Sequence, residues 1–308
     1  MSAYRALAPA KVNLGLSLGP VRSRDGRHEV VTVVQSVSLA DELLLEPASA
    51  GADEDEVICP GVPGPAAENL AAAALRTFRL ATGCRAGPWR LSIIKRIPVA
   101  AGLGGGSADA AAALRLASVA SGLGDEQLMR ELGAELGADV PALVSPGRWL
   151  ATGAGERVQR LPDPSSALGL LLLPLDHSLS TAAVYAESDR LGLPRAHSEL
   201  AARARRLAAE LKGGGSLPEL LENDLQPAAV SLCPQIAGAL EHGRQARAEH
   251  VLVSGSGPTV VALFPGEDGL AGAEQMARAL AGRVPAPICA RTVEASFGQP
   301  ARIVHARP

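Results

Sequence analysis

Two long apolar runs open the chain. Residues 10–19 and 29–46 are rich in Val and Leu, and the segment between them, 22–28, is polar and contains a glycine. Apolar runs of this kind on both sides of a short polar segment predict two strands connected as a hairpin. A third run at 89–94, with Ile and Leu beside a tryptophan, predicts a further strand.

Alanine- and leucine-rich stretches lie between and after these runs. They cover residues 68–80, 107–120 and 125–136, and their composition and spacing favour helices. Ser107 stands at the start of the second stretch, where its hydroxyl is expected to cap the helix. Gly137 is expected to end the third helix.

The stretch 160–166 contains two prolines and is the best candidate for a domain boundary. The chain is therefore expected to divide into residues 1–163 and residues 164–308. In the second part, residues 168–173 predict a strand. Residues 250–264 predict two strands joined by a glycine-containing loop.

A charged helix is predicted at 199–212, and the three glycines at 213–215 are expected to form a flexible stop after it. Strands and helices are thus mixed along the whole chain. The pattern lacks the steady alternation that a doubly wound parallel sheet requires. The predicted fold class is therefore α+β, arranged in two domains.

The composition is that of a globular protein, with 47% hydrophobic and 20% charged residues among 308. Aromatic residues make up only 2%, and the formal net charge is −3. Single-stranded nucleic acids are usually bound by a basic groove with stacking aromatic side chains, so no nucleic-acid partner is expected. The four cysteines are scattered singly, as in a reduced cytoplasmic protein.

The apolar runs do not predict membrane insertion. The longest, around 167–175, is too short to cross a bilayer as a helix. The N-terminal segment is interrupted by Lys11 and Asn13, and no small-residue cleavage pattern follows a continuous apolar core. The protein is therefore expected to be cytoplasmic, without a membrane partner. Small molecules are the expected partners, and a monomer or homodimer is the expected assembly.

The strongest candidate for chemistry is the glycine-rich segment 98–109, PVAAGLGGGSAD, between a predicted strand and a predicted helix. Four glycines in five positions leave backbone amides uncovered, and the following helix adds the positive end of its dipole, so this segment is a candidate phosphate cradle. Taken alone, a turn whose glycines only relieve crowding explains it equally well. It is not a Walker A loop, because no Gly-Lys-Ser/Thr follows, and Ser107 breaks the dinucleotide fingerprint.

Lys11 and Asn13 form a polar pair inside the first predicted strand. Lysine occurs only at positions 11, 95 and 212, so 26 of the 29 basic residues are arginine. A lysine ammonium is a compact, mobile charge that suits contact with a reacting oxygen or a phosphate. The alternative is an edge-strand lysine that extends into solvent.

Two further segments are candidates for the site. In GADVP, residues 137–141, Asp139 is typical of a helix N-cap, and its alternative role is to orient or deprotonate a hydroxyl nucleophile. The segment SGSGPT, residues 254–259, is called here the second glycine loop. Its glycines permit close approach of a backbone or a ligand, or they simply turn the chain.

Taken together and in this order, these segments resemble the GHMP kinases, a superfamily named for galactokinase, homoserine kinase, mevalonate kinase and phosphomevalonate kinase. The resemblance runs from residue 9 to residue 264. Several segments are further similar to the branch that phosphorylates a cytidine diphosphate-linked polyol. They are residues 9–16, 25–28, 102–112, 137–141, 180–185, 223–226 and 254–259.

The resemblance implies a two-domain fold, with an N-terminal domain like ribosomal protein S5 domain 2, a ferredoxin-like C-terminal domain and a site between them. It also implies an ATP-dependent kinase that uses ATP and Mg²⁺. Lys11 and Asp139 would flank the acceptor hydroxyl as catalytic residues. ATP would contact Asn69, Lys95, Pro98, Gly102, Leu103, Gly104, Gly105, Gly106 and Ser107, with Ser107 as a candidate ligand of the ATP-bound magnesium. The cytidine-containing substrate would contact Asn13, Arg27, His28, Asp139, Thr181 and Tyr185.

One position departs from this pattern. The family usually has an aromatic residue that can stack on cytosine where this chain has Arg27. A guanidinium can also stack on a ring, so either cytosine binding is adjusted or the substrate differs. Two alternatives stay open: a GHMP kinase for another small alcohol or phosphorylated polyol, and a non-catalytic nucleotide-binding regulator with this fold.

Overall fold

The fold is taken from a computed structural model. The structural description covers residues 2–65, 68–165, 167–212, 221–245, 248–282 and 286–303. Among these residues, no helix combines the length and the apolar composition needed to cross a bilayer. The glycines at 213–215, for which a flexible stop is predicted, and residue 166 of the predicted boundary lie outside the described residues.

The two opening strands form a long antiparallel hairpin, β1 (Ala3–Val21) and β2 (His28–Pro47). All residues from 8 to 19 are buried, so β1 runs through the interior of the molecule. The pairing register shifts between Pro9 and Lys11 and again between Asn13 and Gly15. Such irregularities change the direction of nearby side chains, and here they flank the polar pair of β1.

The hairpin belongs to a sheet of seven strands. On the β2 side it continues through β4 (Trp89–Ile94) to the short β3 (Glu56–Ile58). Another part of β2 pairs with β5 (Arg148–Thr152), which pairs in turn with β6 (Arg157–Arg160). The seventh strand, β11 (Ala301–Ile303), pairs antiparallel with the start of β1.

Four helices accompany this sheet: α1 (Leu70–Thr82), α2 (Gly105–Ser121), α3 (Glu126–Leu136) and α4 (Val140–Val144). The helix α2 is buried along ten consecutive residues, 108–117, six of which are alanine. Small side chains allow α2 to pack closely against β1 and α1, which it contacts extensively. The three helices predicted in this part are confirmed, with ends shifted by one or two residues.

The predicted cap of α2 is wrong. The helix begins at Gly105 with Gly104 at the N-cap position, so Ser107 is its third residue. Gly104 has a φ of 69°, and this left-handed turn bends the backbone into the helix before the serine is reached. As a result, three small residues form the first turn of α2.

The second sheet has four antiparallel strands in the order β10-β7-β9-β8. These are β7 (Gly169–Leu173), β8 (His250–Val253), β9 (Val260–Phe264) and β10 (Ile288–Arg291). The helices of this half are α5 (Thr181–Arg190), α6 (His197–Leu211), α7 (Gln226–Leu232), α8 (Gln235–Gln245) and α9 (Gly269–Ala279). The predicted order of strand, glycine loop and strand at 250–264 is confirmed.

Two mixed layers of strands and helices confirm the α+β class. Strands β1 to β6 precede the predicted boundary, and β7 to β10 follow it. After a short 3₁₀ turn at Ala295–Gly298, β11 returns to the first sheet. The division into residues 1–163 and 164–308 stays a prediction, and β11 joins the second part to the first sheet.

Candidate active site

A cavity of about 520 Å³ lies beside the N-termini of α1 and α2 and the end of β4. The residues to which ATP binding is assigned by resemblance line it together: Asn69, Lys95, Pro98, Gly102, Leu103, Gly104, Gly105, Gly106 and Ser107. Because α2 starts in this wall, the free backbone N–H groups of its first turn and the positive end of its dipole lie at the cavity. The cavity therefore has the properties of an anion site.

Two glycines of this wall are required by close approaches. A Cβ at Gly102 would lie 2.5 Å from the carbonyl oxygen of Gly257, and a Cβ at Gly104 would lie 2.8 Å from Cγ of Lys11. Both glycines have positive φ, 78° and 69° respectively, a conformation that other residues rarely adopt. The glycine-rich segment therefore packs directly on Lys11 and on the second glycine loop.

Two polar side chains of the cavity are held by the protein itself. The Oδ1 of Asn69 accepts a hydrogen bond from the first turn of α1 and caps that helix. Lys95 donates to Oδ2 of Asp109 at 2.7 Å and also to Oδ2 of Asp41. Asp41 is fully buried, and its Oδ1 accepts from the backbone N–H groups of residues 96 and 97.

The charges of Lys95, Asp41 and Asp109 shift the pKa values of Lys95 and Asp109. Burial raises the pKa of Asp109 to about 7, and the positive charge of Lys95 offsets only part of that rise. Burial lowers the pKa of Lys95, but the neighbouring carboxylates outweigh burial and leave the pKa raised. Asp41 lies outside every motif, and Asp109, the last residue of the glycine-rich segment, was assigned no role there. The available signal was an acidic residue in an apolar strand and another in an alanine-rich helix.

Lys11 lies between the glycine-rich segment and Asp139. Its Nζ donates to Oδ1 of Asn13 at 2.8 Å and is 3.3 Å from Oδ2 of Asp139. Its backbone N–H donates to the carbonyl oxygen of Leu103 at 3.0 Å. Only 7% of the side chain is exposed, so the explanation of Lys11 as a solvent-exposed edge lysine is wrong.

Asp139 occupies the N-cap position of α4, as its sequence context suggested. Its side chain nevertheless makes no capping hydrogen bond to the described residues, and its backbone is helical rather than extended. The side chain is 36% exposed and is directed at Lys11. Asp139 therefore has unused hydrogen-bonding capacity beside a buried ammonium group.

The second glycine loop closes the site from the other layer. Its Ser254 Oγ accepts from the backbone N–H of Asn13 at 3.2 Å, and Asn13 Nδ2 donates to Thr32 at 2.8 Å. Thr181, the first residue of α5, has its hydroxyl 3.1 Å from that of Ser256. The loop thus joins two residues predicted for substrate binding, Asn13 on β1 and Thr181 on α5.

His28 and Tyr185 form a pair of rings with centroids 5.3 Å apart. The Nδ1 of His28 is 2.9 Å from the carbonyl oxygen of Gly19, and its Nε2 is 3.2 Å from Asp189 on α5. Burial raises the pKa of Tyr185 to about 12; the charge of Asp139 adds to the rise, whereas a nearby arginine, Arg27, opposes it. The pKa of Tyr185 therefore depends on both the candidate catalytic carboxylate, Asp139, and the atypical arginine, Arg27.

Arg27 is exposed and donates from Nη2 to the carbonyl oxygen of Ala154 at 3.1 Å. This contact fixes its guanidinium at the rim, beside the segment that follows β5. The candidate site thus has a glycine-lined cavity, a Lys11–Asp139 pair and a ring pair at His28. A cavity suited to phosphates in the first part of the chain, beside a buried lysine and an available carboxylate, is the arrangement expected of the class of GHMP kinases.

Comparisons with known proteins agree with this class. Residues 69–147 match the family model described as GHMP kinases N terminal domain, and residues 200–284 match GHMP kinases C terminal. The 4-diphosphocytidyl-2-C-methyl-D-erythritol kinase of Kineococcus radiotolerans is 41% identical over 85% of this chain and 82% of its own length. The enzyme of the same name from Streptomyces avermitilis is 40% identical over 88% of this chain and 90% of its own.

Among solved structures, a crystal structure of 4-(cytidine 5'-diphospho)-2C-methyl-D-erythritol kinase has a TM-score of 0.73 at 31% identity, covering 94% of this chain and 98% of its own. A homoserine kinase from Cytophaga hutchinsonii shares the fold, with a TM-score of 0.67 at 17% identity over 98% of each chain. The chain therefore belongs to the GHMP kinases and, within them, to the family of 4-diphosphocytidyl-2-C-methyl-D-erythritol kinases.

Proposed function

We propose that this protein transfers the γ-phosphoryl group of ATP to the 2-hydroxyl of 4-diphosphocytidyl-2-C-methyl-D-erythritol, a step of the non-mevalonate route to isoprenoid precursors. The observation that carries the proposal is the 3.3 Å contact between Lys11 Nζ and Asp139 Oδ2. This pair lies against the glycine-lined cavity on one side and near the half-buried ring of Tyr185 on the other.

The cavity at the start of α2 is the proposed ATP site. Triphosphate oxygens suit the free N–H groups of a helix start and the positive end of its dipole. Gly102 and Gly104 allow the wall to pack closely on Gly257 and Lys11. A wall made of glycines leaves its backbone amides uncovered for phosphates. Asn69 and Lys95, at other points of the same cavity, are proposed to lie near the rest of the nucleotide.

Lys11 and Asp139 are the proposed catalytic residues. Phosphoryl transfer needs little covalent chemistry from the protein, because most of the catalysis is positioning and charge stabilisation. The Asp139 carboxylate orients the acceptor hydroxyl and accepts its proton as the oxygen attacks in line. The Lys11 ammonium stabilises negative charge on the attacking oxygen and on the phosphoryl group that moves.

The acceptor side is formed by residues around His28 and Tyr185. The two rings offer aromatic surface to a base, and the guanidinium of Arg27 adds a planar cation at the rim. Asn13 and Thr181 complete the proposed contacts, since both are joined to the second glycine loop. These groups are proposed to hold the cytidine diphosphate part, with Asp139 at the reacting end.

Magnesium is proposed to accompany ATP, and the donors present suit that arrangement. Within the described residues, no cluster of three or more His, Cys, Asp or Glu side chains could hold a metal ion. A magnesium ion bound mainly by phosphates and water needs few protein ligands, and the Ser107 hydroxyl in the cavity wall is an oxygen donor of the right kind. The ion would neutralise phosphate charge.

The direct test is an ADP-release assay with ATP, magnesium and 4-diphosphocytidyl-2-C-methyl-D-erythritol, with homoserine and mevalonate as control acceptors. Turnover is expected only with the cytidine-linked acceptor, and ³¹P NMR of the product should place the new phosphate on the 2-hydroxyl. The Arg27→Tyr variant, run alongside, is expected to keep the same acceptor preference. Turnover that is indifferent to the cytidine group would contradict the proposal.

A further inference from the structure

The position of the second glycine loop determines the space around Lys11. A Cβ at Gly255 would lie 2.9 Å from Oδ1 of Asn13 and 3.7 Å from Nζ of Lys11. At its far end, the hydroxyl of Thr259 donates to the carbonyl oxygen of Ala101, just before the glycines of the nucleotide cavity, at 2.7 Å. A shift of this loop would therefore be transmitted to both Lys11 and the cavity wall.

Asn223 holds this loop in place. It lies beside β1, at the edge opposite the one that pairs with β2. Its Nδ2 donates to the carbonyl oxygen of Gly255 at 2.7 Å and to that of Val253 at 2.8 Å. Its Oδ1 accepts from the backbone N–H of Leu225 at 2.9 Å. Only 7% of the residue is exposed, and a side-chain amide has two hydrogens to donate. Both hydrogens are therefore used on the loop and the residue before it.

The backbone around Asn223 is attached to the strand that carries Lys11. The N–H of Leu16 donates to the carbonyl oxygen of Glu222 at 2.8 Å, and the N–H of Asp224 donates to the carbonyl oxygen of Leu16 at 2.9 Å. Leu16 belongs to β1. One residue thus connects the strand that carries the lysine with the loop that packs on it.

We propose that Asn223 is a positioning residue for phosphoryl transfer, which fixes the second glycine loop relative to Lys11 and the nucleotide cavity. This inference rests on the proposed function. The side chain of Asn223 bonds to Val253, Gly255 and Leu225 and not to the proposed catalytic pair, so its effect passes through Gly255. Without it, two buried carbonyl oxygens lose their donors and the loop moves to find others.

The test is the Asn223→Ala variant, measured by ADP release at varied ATP and acceptor concentrations. Misplacement of catalytic groups by about 1 Å typically costs about 10²-fold in rate, so kcat should fall by about that factor. Both KM values should change much less, because the groups that bind the substrates remain. If Asn223→Ala does not fold, Asn223→Ser, which keeps one donor, should give a smaller loss of kcat.

Asp224→Asn is the matched control. Asp224 is the next residue, and its carboxylate pairs with Arg195 at 2.6 Å and accepts from the backbone of Leu18 at 2.9 Å, away from the loop. This variant should lower the thermal midpoint while kcat stays near that of the unaltered protein. If Asn223→Ala and Asp224→Asn lose kcat in the same proportion, the role of Asn223 is general stability and the proposal is wrong.

Amide hydrogen exchange at residues 254–257 tests the positioning without relying on turnover. The N–H groups of Ser254 and Gly257 are bonded inside the loop, and they should exchange faster in Asn223→Ala but not in Asp224→Asn. Faster exchange with an unchanged kcat overturns the proposal while the kinase assignment stands. If the unaltered protein phosphorylates no acceptor, the proposed function fails, and unchanged exchange in Asn223→Ala would separately refute the anchoring.

Discussion

The two lysines of the cleft differ in what surrounds them. Lys95 is shared between two buried carboxylates, Asp41 and Asp109, so its ammonium is satisfied inside the protein. Lys11 meets one carboxylate, Asp139, whose side chain is 36% exposed. A fully paired buried charge maintains structure, whereas a pair with free bonding capacity can act on a ligand. The comparison therefore distinguishes a lysine whose bonding capacity is used inside the protein from one that lies beside a carboxylate with capacity to spare.

Breaking the pair of Lys11 and Asp139 should have the largest effect on turnover. Asp139→Asn keeps the size of the side chain but removes its charge and its ability to accept a proton. The expected loss in kcat is about 10³-fold, in the usual range for a group that moves a proton, or about 4 kcal/mol of activation free energy. ADP release at saturating substrates measures it. Normal turnover with Asp139→Asn would remove Asp139 from the mechanism.

Breaking the buried cluster of Lys95, Asp41 and Asp109 should lower the stability of the protein instead. Asp41→Asn leaves a buried ammonium with less compensation and two backbone N–H groups facing an amide, so the free energy of unfolding should fall by about 3 kcal/mol. Urea denaturation measures the change. The neighbouring Glu42→Gln, which removes a surface pair with Arg5 and Arg96, should cost less than about 1 kcal/mol. Equal losses in the free energy of unfolding would mean that the buried cluster stabilises the protein no more than the surface pairs of Glu42 do.

Two adjacent glycines sharpen the comparison, because each lies against one of the lysines. Gly104→Ala would place a Cβ 2.8 Å from Lys11 Cγ at a φ of 69°, so it should displace Lys11 and lower kcat by about 10²-fold. Gly105→Ala would place a Cβ 3.3 Å from Lys95 Nζ in a helical conformation. Its effect on kcat should stay below about tenfold, since Lys95 holds its position through its carboxylates.

Steady-state kinetics of both glycine variants, with circular dichroism to check that each is folded, decides this prediction. A larger loss for Gly105→Ala than for Gly104→Ala would reverse the roles assigned to the two lysines.

The smallest effect is expected from Asp109→Asn. Burial disfavours the charge of Asp109, and its Oδ1 has no hydrogen-bond partner among the described residues. Loss of the bond to Lys95 is therefore offset by removal of a poorly solvated charge, and Lys95 keeps Asp41. The free energy of unfolding should change by about 1 kcal/mol or less, as measured by urea denaturation. A loss as large as that of Asp41→Asn would show that Lys95 depends on both carboxylates equally.

Most of the fold could be predicted because its signals are local. The runs at 10–19 and 29–46 are long and rich in Val and Leu, and they predicted the central hairpin, although β1 begins at Ala3, earlier than expected. The start of α2 was missed because a serine before alanines looks like a cap, whereas the backbone turns earlier at Gly104. Glycine φ angles depend on what packs against the loop, and that information lies elsewhere in the chain.

The site was harder to predict for the same reason. Lys11 on β1 and Asp139 at the start of α4 are far apart in sequence. Their individual contexts left an exposed lysine and a helix cap open as explanations, and only the resemblance joined them. Asp41 comes near Lys95 because β2 pairs with β4, and Asp109 comes near because α2 packs under that pair. Long-range pairing of this kind leaves no mark in spacing, so neither acidic residue was expected to pair with Lys95.

The strand β11 ties the end of the described chain to the strand that carries Lys11. During synthesis on the ribosome, the outer edge of β1 at residues 3–5 has no partner until residues 301–303 emerge, and unpaired strand edges invite association with other chains. The sheet that carries Lys11 is thus completed only after the strands of the second sheet have been synthesised. Deleting β11 should therefore lower the yield of soluble protein through association of the unpaired edge, without directly changing a contact with substrate.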